Sequence, residues 1–427
     1  MNDEAPPSRE AAPAAADRDA AAPTQQLEKD SKRYGILAWT AVSLCATSAL
    51  ILGGRILRAG YGADQDTFLM LATWDVLRDE GIYRPSRYQG YPLAELSIGA
   101  ASEIGGHWLS GALSVVLGGA SLMFTYDLTR RRLKSRVDAI VVTSVLAATP
   151  VFVIAATTSS DYIYGLAAFL AAWSLLERHD SPFLIGFLLG LATAARISYA
   201  PLGLALVLLH PKMRVKGDTA PAVWTLVTVA VITYLPTVLG AAQVSAVFTA
   251  DRPTDQGVAG ILGRSTLKGV DVLGVAGSVV AALIVAVIWL KRARLTNTST
   301  NTPERWLLAM LAIIVGLWIW LPVEPSYLLP GVVIGLVWMS SSGLVPTLRP
   351  LLLTLVIVIV AYGWWNPQLV SVSYESRYGF EFCAATEASG ASLSPHLEPG
   401  VLRDYPTAVA QNLRCNELAR EAAYSRD

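Results

Sequence analysis

Two aspartates one residue apart, Asp64 and Asp66, stand in the stretch "GYGADQDTFLMLATWDVLRDEGIYRPSRYQGYPLAE", just after the first long apolar run. Residues two apart on a helix point in different directions, so the two carboxylates cannot share one helix face. A helix that starts here resolves the geometry, because Asp66 can be the N-cap of "TFLMLATWDVLRDE" and Gly81 can end it. Asp64 is not needed for the cap, which makes it the better candidate for chemistry. The alternative is that both acids are solvated loop residues.

Two arginines, Arg84 and Arg87, follow in "IYRPSRYQGYPLAE". A carboxylate beside arginines can act as a base while the guanidinium groups hold a phosphate. Tyr88, Tyr91 and Glu95 belong to the same stretch, and we expect them to line a substrate cavity.

The two acids also form a D-x-D pattern, a common one by itself, whose carboxylates could share a hard cation such as magnesium or manganese with a phosphate. The four histidines are scattered, and the chain has no HxxxH or CxxC spacing, so the sequence does not predict a structural zinc site. No P-loop, GxGxxG or GxSxG element is present.

Arg196 lies in "GLATAARISYAPLG", between two apolar runs. An arginine inside a membrane costs at least about 2.5 kcal/mol on insertion scales, so we expect it to have a partner. We predict that Arg196 contacts a lipid phosphate near the outer end of its span. The alternative is an arginine that extends to the interface and keeps its charge in water.

Polar candidates also lie in the other outer segments. Two open a span, two occupy a tight turn between spans, and two belong to the loop "GRSTLKG": Asp161 and Tyr162, Glu324 and Tyr327, Arg264 and Lys268. Each pair has a structural alternative, namely a helix-start acid, a turn acid and an exposed loop. We expect the first two pairs to line the cavity and the basic pair to bind phosphate.

Membrane helices must position these residues. The 427 residues are 53% hydrophobic and 15% charged, whereas soluble domains carry about 25% charged residues. The charges cluster between apolar runs of about 18 to 22 residues, the length that spans a bilayer. The sequence therefore predicts an all-α polytopic membrane protein with about 11 transmembrane helices. The runs are roughly 35–53, 97–127, 138–157, 161–177, 182–195, 198–210, 220–240, 269–290, 306–322, 326–341 and 347–365.

Lysines and arginines predict the orientation. They concentrate in loops that fall on one side by alternation, which we assign to the cytoplasm together with the N-terminus: 130–136, 177–180, 210–217 and 291–294. The other loops and the C-terminus then face outward: 54–96, 158–160, 241–268 and 323–325. Loop 54–96 carries the amphipathic helix after Asp66, which we expect to lie in the outer interface.

The predicted domains are a disordered cytoplasmic tail rich in Ala and Pro (1–33), a transmembrane domain (34–365) and a small extracytoplasmic segment (366–427). Cys45 lies in the first apolar run and is expected to be a core residue. Cys383 and Cys415 lie in the last segment. They could form a disulfide if that segment faces an oxidising compartment, or they could be two unpaired thiols.

The order of these parts resembles the GT-C superfamily of integral-membrane glycosyltransferases. One membrane helix is followed by a long outer loop with an acidic pair near its start, an interfacial helix and "IYRPSRYQGYPLAE". The resemblance covers the arrangement of spans through about residue 365, with its motifs concentrated in 61–95. It implies a GT-C-like fold for 34–365.

The resemblance also implies an activity. Enzymes of this superfamily use lipid-linked sugar donors, usually polyprenyl-phosphate sugars, and a first-loop acid serves as catalytic base or positions the acceptor. The role falls on Asp64 first and Asp66 second, and in some branches such acids help to bind a divalent metal. The implied acceptor is a glycan, a lipid or a protein. The neutral formal charge and the absence of a basic domain give no indication of nucleic acid.

Two other functions remain open from the residues alone. One is a transporter or flippase for a lipid-linked or anionic substrate, in which Asp161 and Arg196 would form a pathway pair. The other is a non-catalytic assembly subunit. A transporter should carry its polar residues at mid-span, whereas the unusual charges here cluster at the outer ends, which favours the enzyme. The composition of the tail and the lack of eukaryotic targeting features favour a bacterial inner membrane.

Overall fold

The computed structural model describes residues 16–62, 65–87, 90–240, 257–298, 305–320, 325–365 and scattered positions between 406 and 424. Every regular element in these residues is helical. The α-helices are α1 Ala16–Ala59, α2 Gln65–Glu80, α3 Pro92–Arg132, α4 Arg136–Ala148, α5 Pro150–Thr157, α6 Tyr162–Arg178, α7 Pro182–Ala195, α8 Tyr199–Leu209, α9 Pro211–Lys216, α10 Thr219–Gly240, α11 Gly257–Asp271, α12 Gly274–Thr298, α13 Arg305–Trp320, α14 Leu329–Ser341 and α15 Val345–Val358. A 3₁₀ turn, Pro325–Leu328, precedes α14, and a π-helix, Ile359–Trp365, follows α15.

The chain is an integral membrane protein. Four helical segments in the described residues are long and apolar enough to cross a membrane: Ile36–Ala59, Pro92–Arg132, Thr219–Leu239 and Val345–Tyr362. The bent pair α4 and α5 would make a fifth. The structure thus confirms the all-helical membrane class but not the count of eleven spans.

Several predicted spans are shorter or broken in the structure. The run 138–157 is divided into α4 and α5, which meet at an angle of 71°. Thr149 lies at the break with an extended ψ of 118°, the conformation that a residue before proline prefers. Pro150 then begins α5, as the fixed φ of proline favours at a first helical position.

Helix α1 begins at Ala16, inside the segment 1–33 for which the composition predicted disorder. Alanine has the highest helix propensity, so an alanine-rich segment readily extends a membrane helix beyond its apolar part. The second apolar run lies within α3, which has non-helical backbone angles at Gly105 and Gly106. This kink separates the start of α3 from its apolar remainder.

Glycines let α7 and α10 approach closely. A Cβ atom on Gly186 of α7 would lie 2.4 Å from the backbone oxygen of Ala222 in α10. One on Gly190 would lie 2.5 Å from Val229. Small residues permit such contacts between membrane helices. The packing fixes α7, whose C-terminal end carries Arg196.

The predicted helix after the acidic pair is present as α2. Gly81 follows it with a φ of 70°, and its amide donates to the Leu77 carbonyl at 3.0 Å, as expected for a glycine stop. The N-cap prediction for Asp66 is wrong, because α2 starts at Gln65 and Asp66 lies in its first turn. The helix dipole favours an acid there.

Helix α2 is buried over most of its circumference, more than the predicted amphipathic pattern implied, and of its described side chains only those of the C-terminal residues 78–80 are exposed. Its apolar side is buried at Phe68, Leu71, Ala72 and Val76. Its polar side carries Asp75, which forms two hydrogen bonds with Arg420 from the C-terminal segment, at 2.7 and 3.0 Å. Helix α2 is therefore attached to the protein on both sides.

Candidate functional site

Arg196 has the partner that its membrane location demanded. The side chains of Arg196 and Asp161 are both 2% exposed, and Arg196 Nη1 lies 3.1 Å from Asp161 Oδ2. Asp161 directly precedes α6 and Arg196 directly follows α7. Consecutive helices that pack against each other bring these two ends together, so the pair results from the α6–α7 contact.

Three tyrosine rings surround the Arg196 guanidinium. Its central carbon lies 3.7 Å from the ring centre of Tyr162, 4.3 Å from that of Tyr327 and 5.1 Å from that of Tyr91. Aromatic faces attract a cation at such distances. The structure therefore groups three of the predicted cavity tyrosines around one cation, and their place in a substrate cavity stays a prediction.

Arg87 lies on the other side of Tyr91. It forms an ion pair with Asp66, and its guanidinium carbon is 5.2 Å from the centre of the Tyr91 ring. Arg87 Nη1 also donates to the Tyr91 hydroxyl at 3.5 Å. Burial raises the pKa of Tyr91, although Arg196 and Arg87 oppose this shift, so the tyrosine keeps its proton as a hydrogen-bond donor. Tyr91 therefore links the two arginines. We call the following residues the arginine cluster: Arg87, Arg196, Tyr91, Asp66, Asp161, Tyr162 and Tyr327.

Several buried atoms of the cluster lack well-aligned hydrogen bonds within the described residues. They are Nη1 and Nη2 of Arg196 and the hydroxyl of Tyr162. Buried polar groups are nearly always paired, so Nη2 of Arg196 and the Tyr162 hydroxyl need an explanation, whereas Nη1 has its ion pair with Asp161. A phosphate supplies several strong acceptor oxygens that match a guanidinium.

Glu95 differs from its predicted role in the cavity lining. It is completely buried in the first turn of α3. It accepts hydrogen bonds from the Tyr83 hydroxyl, the Ser86 hydroxyl and the Ser86 amide, the last at 3.0 Å. Burial, and then the charge of Glu95, raises the pKa of the Tyr83 hydroxyl. Glu95 therefore holds the loop that carries Arg87.

Sequence reasoning did not single out Tyr83 and Ser86. A signal was present, because an acid in the first turn of an apolar helix requires donors. The segment directly before α3 supplies them, within the quoted stretch "IYRPSR".

The remaining predicted site residues are Arg84, which the structure describes, and several that lie wholly or in part outside its described residues. Arg84 pairs with Glu80 at 3.4 Å on the surface. Arg264 and Lys268 belong to α11, but their side chains lie outside the described part of the structure. Asp64, Tyr88, Glu324, Cys383 and Cys415 also lie outside it. Cys45 is buried, as predicted.

The metal prediction remains a prediction. Within the described ranges, no group of three or more His, Cys, Asp and Glu residues is placed to hold a metal ion. Asp64, one of the two proposed ligands, falls in the gap between 62 and 65.

A separate cavity of about 320 Å³ lies beside α2. Its lining includes Trp74, Asp75 and Arg78 of α2, Glu103 of α3 and Arg420. Both acids in its lining already have partners. Arg420 binds Asp75, and Trp74 Nε1 donates to Glu103 at 2.6 Å. No member of the arginine cluster lines it.

A second charged network lies at the opposite end of α6. Glu177 pairs with Arg132 of α3 and with Lys212 of α9 at 3.0 Å, and His210 Nε2 is 3.4 Å from its carboxylate. These residues belong to the segments predicted to be cytoplasmic. We call them the Glu177 network.

Two solved structures match this arrangement of helices. Both are crystal structures of ArnT from Cupriavidus metallidurans, one bound to undecaprenyl phosphate and one in the apo state. Each is 15% identical in sequence, and each match covers 90% of this chain and 76% of the ArnT chain. The TM-scores are 0.56 and 0.54. The chain has the ArnT fold.

ArnT is a GT-C glycosyltransferase, so the resemblance to the GT-C superfamily is confirmed at the level of fold. No protein-family model matches the chain, and no curated protein matches it. At 15% identity the likeness to ArnT concerns the fold, and the function has to be argued from the arginine cluster.

Proposed function

We propose that this protein is a membrane glycosyltransferase that moves a sugar from a polyprenyl-phosphate donor to an acceptor. The observation that carries the proposal is Arg196. Its guanidinium is fully buried among three tyrosines and retains two nitrogens without well-aligned hydrogen bonds. A phosphate would satisfy these donors. The ArnT structure with bound undecaprenyl phosphate adds support from a protein of the same fold.

The chemistry assigns complementary tasks to acids and arginines. An acceptor hydroxyl attacks the anomeric carbon of the sugar while the bond from that carbon to the phosphate oxygen breaks. The polyprenyl phosphate leaves with the bonding electron pair, and Arg196 and Arg87 stabilise its charge. A carboxylate takes the proton of the acceptor hydroxyl.

We assign the base to Asp64, with Asp66 as the second candidate. The capping argument for this order fails, since Asp66 lies inside α2. A different argument replaces it. The Asp66 carboxylate is engaged by Arg87, and a carboxylate paired with an arginine is a weaker base.

The proposed reaction takes place at the outer face of a bacterial inner membrane. The arginine cluster gathers residues from 54–96, residues next to 158–160 and 323–325, and Arg196, which is predicted to lie near the outer end of its span. The acceptor is a glycan, a lipid or a protein. A magnesium or manganese ion shared by Asp64 and the donor phosphate remains part of the proposal.

Binding of undecaprenyl phosphate by the purified protein in lipid nanodiscs tests the role of Arg196. Replacing Arg196 by Gln removes the charge from the cluster, and we expect at least a tenfold loss of affinity, equal to about 1.4 kcal/mol. Arg132→Gln is the matched control, because Arg132 is a largely buried arginine paired with an acid at the other end of the helices. Equal affinities for wild type and Arg196→Gln would contradict the proposal.

Transport of a lipid-linked substrate is the second candidate, favoured by the buried Asp161–Arg196 pair. Charges inside membrane proteins often mark substrate pathways. A transporter would bind undecaprenyl-phosphate-linked sugar and move it from one leaflet of a vesicle membrane to the other without cleaving the sugar from the lipid. Sugar transfer by the purified protein would decide for the enzyme.

A further inference from the structure

Glu95 is a buried acid without a cationic partner in the described residues. It is 0% exposed, and no lysine or arginine forms an ion pair with it among the residues that the structure describes. Moving a carboxylate out of water is costly unless hydrogen bonds compensate. Three hydrogen bonds come to Glu95 from Tyr83 and Ser86, and the Tyr91 backbone also stabilises its carboxylate.

These donors lie in the segment that leads directly to Arg87. Gly81 begins this loop after α2, and Gly90 ends it with a φ of 65°. The Gly90 backbone amide donates a hydrogen bond to the Arg87 carbonyl at 2.9 Å. Gly90 also lies against α10, since a Cβ atom there would be 2.7 Å from Thr237 Oγ1. The loop is therefore held at both ends and, through Glu95, in its middle.

The position of Arg87 depends on this attachment. Ser86 is its direct neighbour in the chain, and two Ser86 groups bind the same Glu95 oxygen, Oε1. The Arg87 side chain forms an ion pair with Asp66 on α2, and its guanidinium lies over the ring of Tyr91, directly before α3. Long side chains lose entropy when they are ordered, so a fixed backbone at residue 86 lowers the cost of placing the guanidinium.

We propose that Glu95 is a positioning residue, which fixes the loop 82–87 so that Arg87 is preorganised to receive the donor phosphate. This inference rests on the proposed function in one respect, the identity of the ligand. The structural part, control of the loop by Glu95, stands apart from any ligand. Preorganised groups bind tighter because less order has to be gained on binding.

Glu95→Gln is the informative change, because it keeps the shape of the side chain and one acceptor oxygen. The amide NH₂ group of glutamine then faces a hydroxyl or amide donor, so at least one of the three bonds is lost. We expect faster hydrogen–deuterium exchange in 82–87, and at least a fivefold loss of affinity for undecaprenyl phosphate. Tyr83→Phe removes one donor from the loop side and should give the same two effects to a smaller extent.

Glu177→Gln provides the matched control. Glu177 is also a largely buried acid with several partners, but it belongs to the Glu177 network at the other end of α6. We expect Glu177→Gln to change exchange near α6 and α9 while leaving loop exchange and lipid affinity at the wild-type level. If Glu95 had only a structural role, Glu95→Gln would leave the lipid affinity at the wild-type level, as we expect for Glu177→Gln.

The outcomes separate the two proposals. Unchanged exchange in 82–87 for both Glu95→Gln and Tyr83→Phe would overturn the positioning role. Faster loop exchange with unchanged lipid affinity would overturn it as well, because the loop would then not prepare the phosphate site. If wild type binds no undecaprenyl phosphate, the proposed function fails, and loop exchange alone still decides whether Glu95 fixes the loop.

Discussion

At the scale of single residues, the Asp161–Arg196 pair explains how a charge is accommodated among apolar helices. Burying two charges is expensive, and their attraction offsets the cost only with good geometry and further hydrogen bonds. The pair has an Nη1–Oδ2 distance of 3.1 Å, yet both arginine nitrogens lack well-aligned bonds. This arrangement is poor for stability and suited to a ligand that supplies acceptors.

Asp161→Asn tests the pair directly. Removing one partner leaves an uncompensated buried guanidinium, which costs roughly 3–5 kcal/mol. We expect a clear fall in the thermal unfolding temperature of the protein in detergent. The double variant Asp161→Asn with Arg196→Gln should recover part of the loss, because no unpaired charge remains. An unfolding temperature of Asp161→Asn equal to wild type would contradict the account.

The sequence predicted that Arg196 needs a partner, but it paired Arg196 with Asp161 only under the transporter alternative. Asp161 was a candidate for a helix-start role or for the cavity, and 35 positions separate the two in the chain. Only the contact of α6 with α7 brings them together. The role of Glu95 was likewise hidden, because its donors become visible once the loop is folded back onto α3.

At the scale of elements, close helix contacts hold the site residues in place. Helix α7 ends at Arg196, and it lies against α10 through Gly186 and Gly190. Helix α10 in turn contacts Gly90, which ends the loop that carries Arg87. A change in the α7–α10 spacing should therefore displace residues of the arginine cluster.

Gly186→Ala probes this spacing. Its Cβ would lie 2.4 Å from the Ala222 backbone oxygen, which cannot move aside like a side chain. Overpacking of this kind costs typically about 1–3 kcal/mol, and we expect a lower unfolding temperature. Gly119→Ala is the control, since Gly119 in α3 has nothing within 4 Å of a Cβ atom. That change should be neutral or slightly stabilising, as alanine favours helix; equal effects of both changes would argue against the close contact.

The predicted elements differ in how far the sequence determines them. The start of α2 was predicted to within two residues and its end was predicted correctly, because Gly81 and the apolar spacing define the helix locally. The break at Thr149 was missed, although Pro150 signals it, because the apolar run continues across it. Hydropathy averages over such a break, so the sequence predicted one continuous span where the structure has two helices that meet at 71°.

At the scale of the whole molecule, two charged groups of residues lie at opposite ends of α6. Asp161 directly precedes the helix, and Glu177 is the second-to-last residue of the helix. Sixteen residues of helix separate them by about 24 Å, close to the hydrocarbon thickness of a bilayer, about 30 Å. The distribution of lysines and arginines places these two ends on opposite sides of the membrane, and that orientation stays a prediction.

The central claim is sugar transfer from a polyprenyl-phosphate donor, and its most direct measurement is the release of undecaprenyl phosphate. Purified protein in nanodiscs is incubated with undecaprenyl-phosphate-linked sugars and a bacterial envelope extract as acceptor, and the released lipid is quantified by mass spectrometry. We expect release by wild type and a rate about 10²–10⁴-fold lower in Asp64→Asn at unchanged expression, the usual contribution of a general base. No release by wild type from any of the sugars, or an equal rate in Asp64→Asn, would contradict the account.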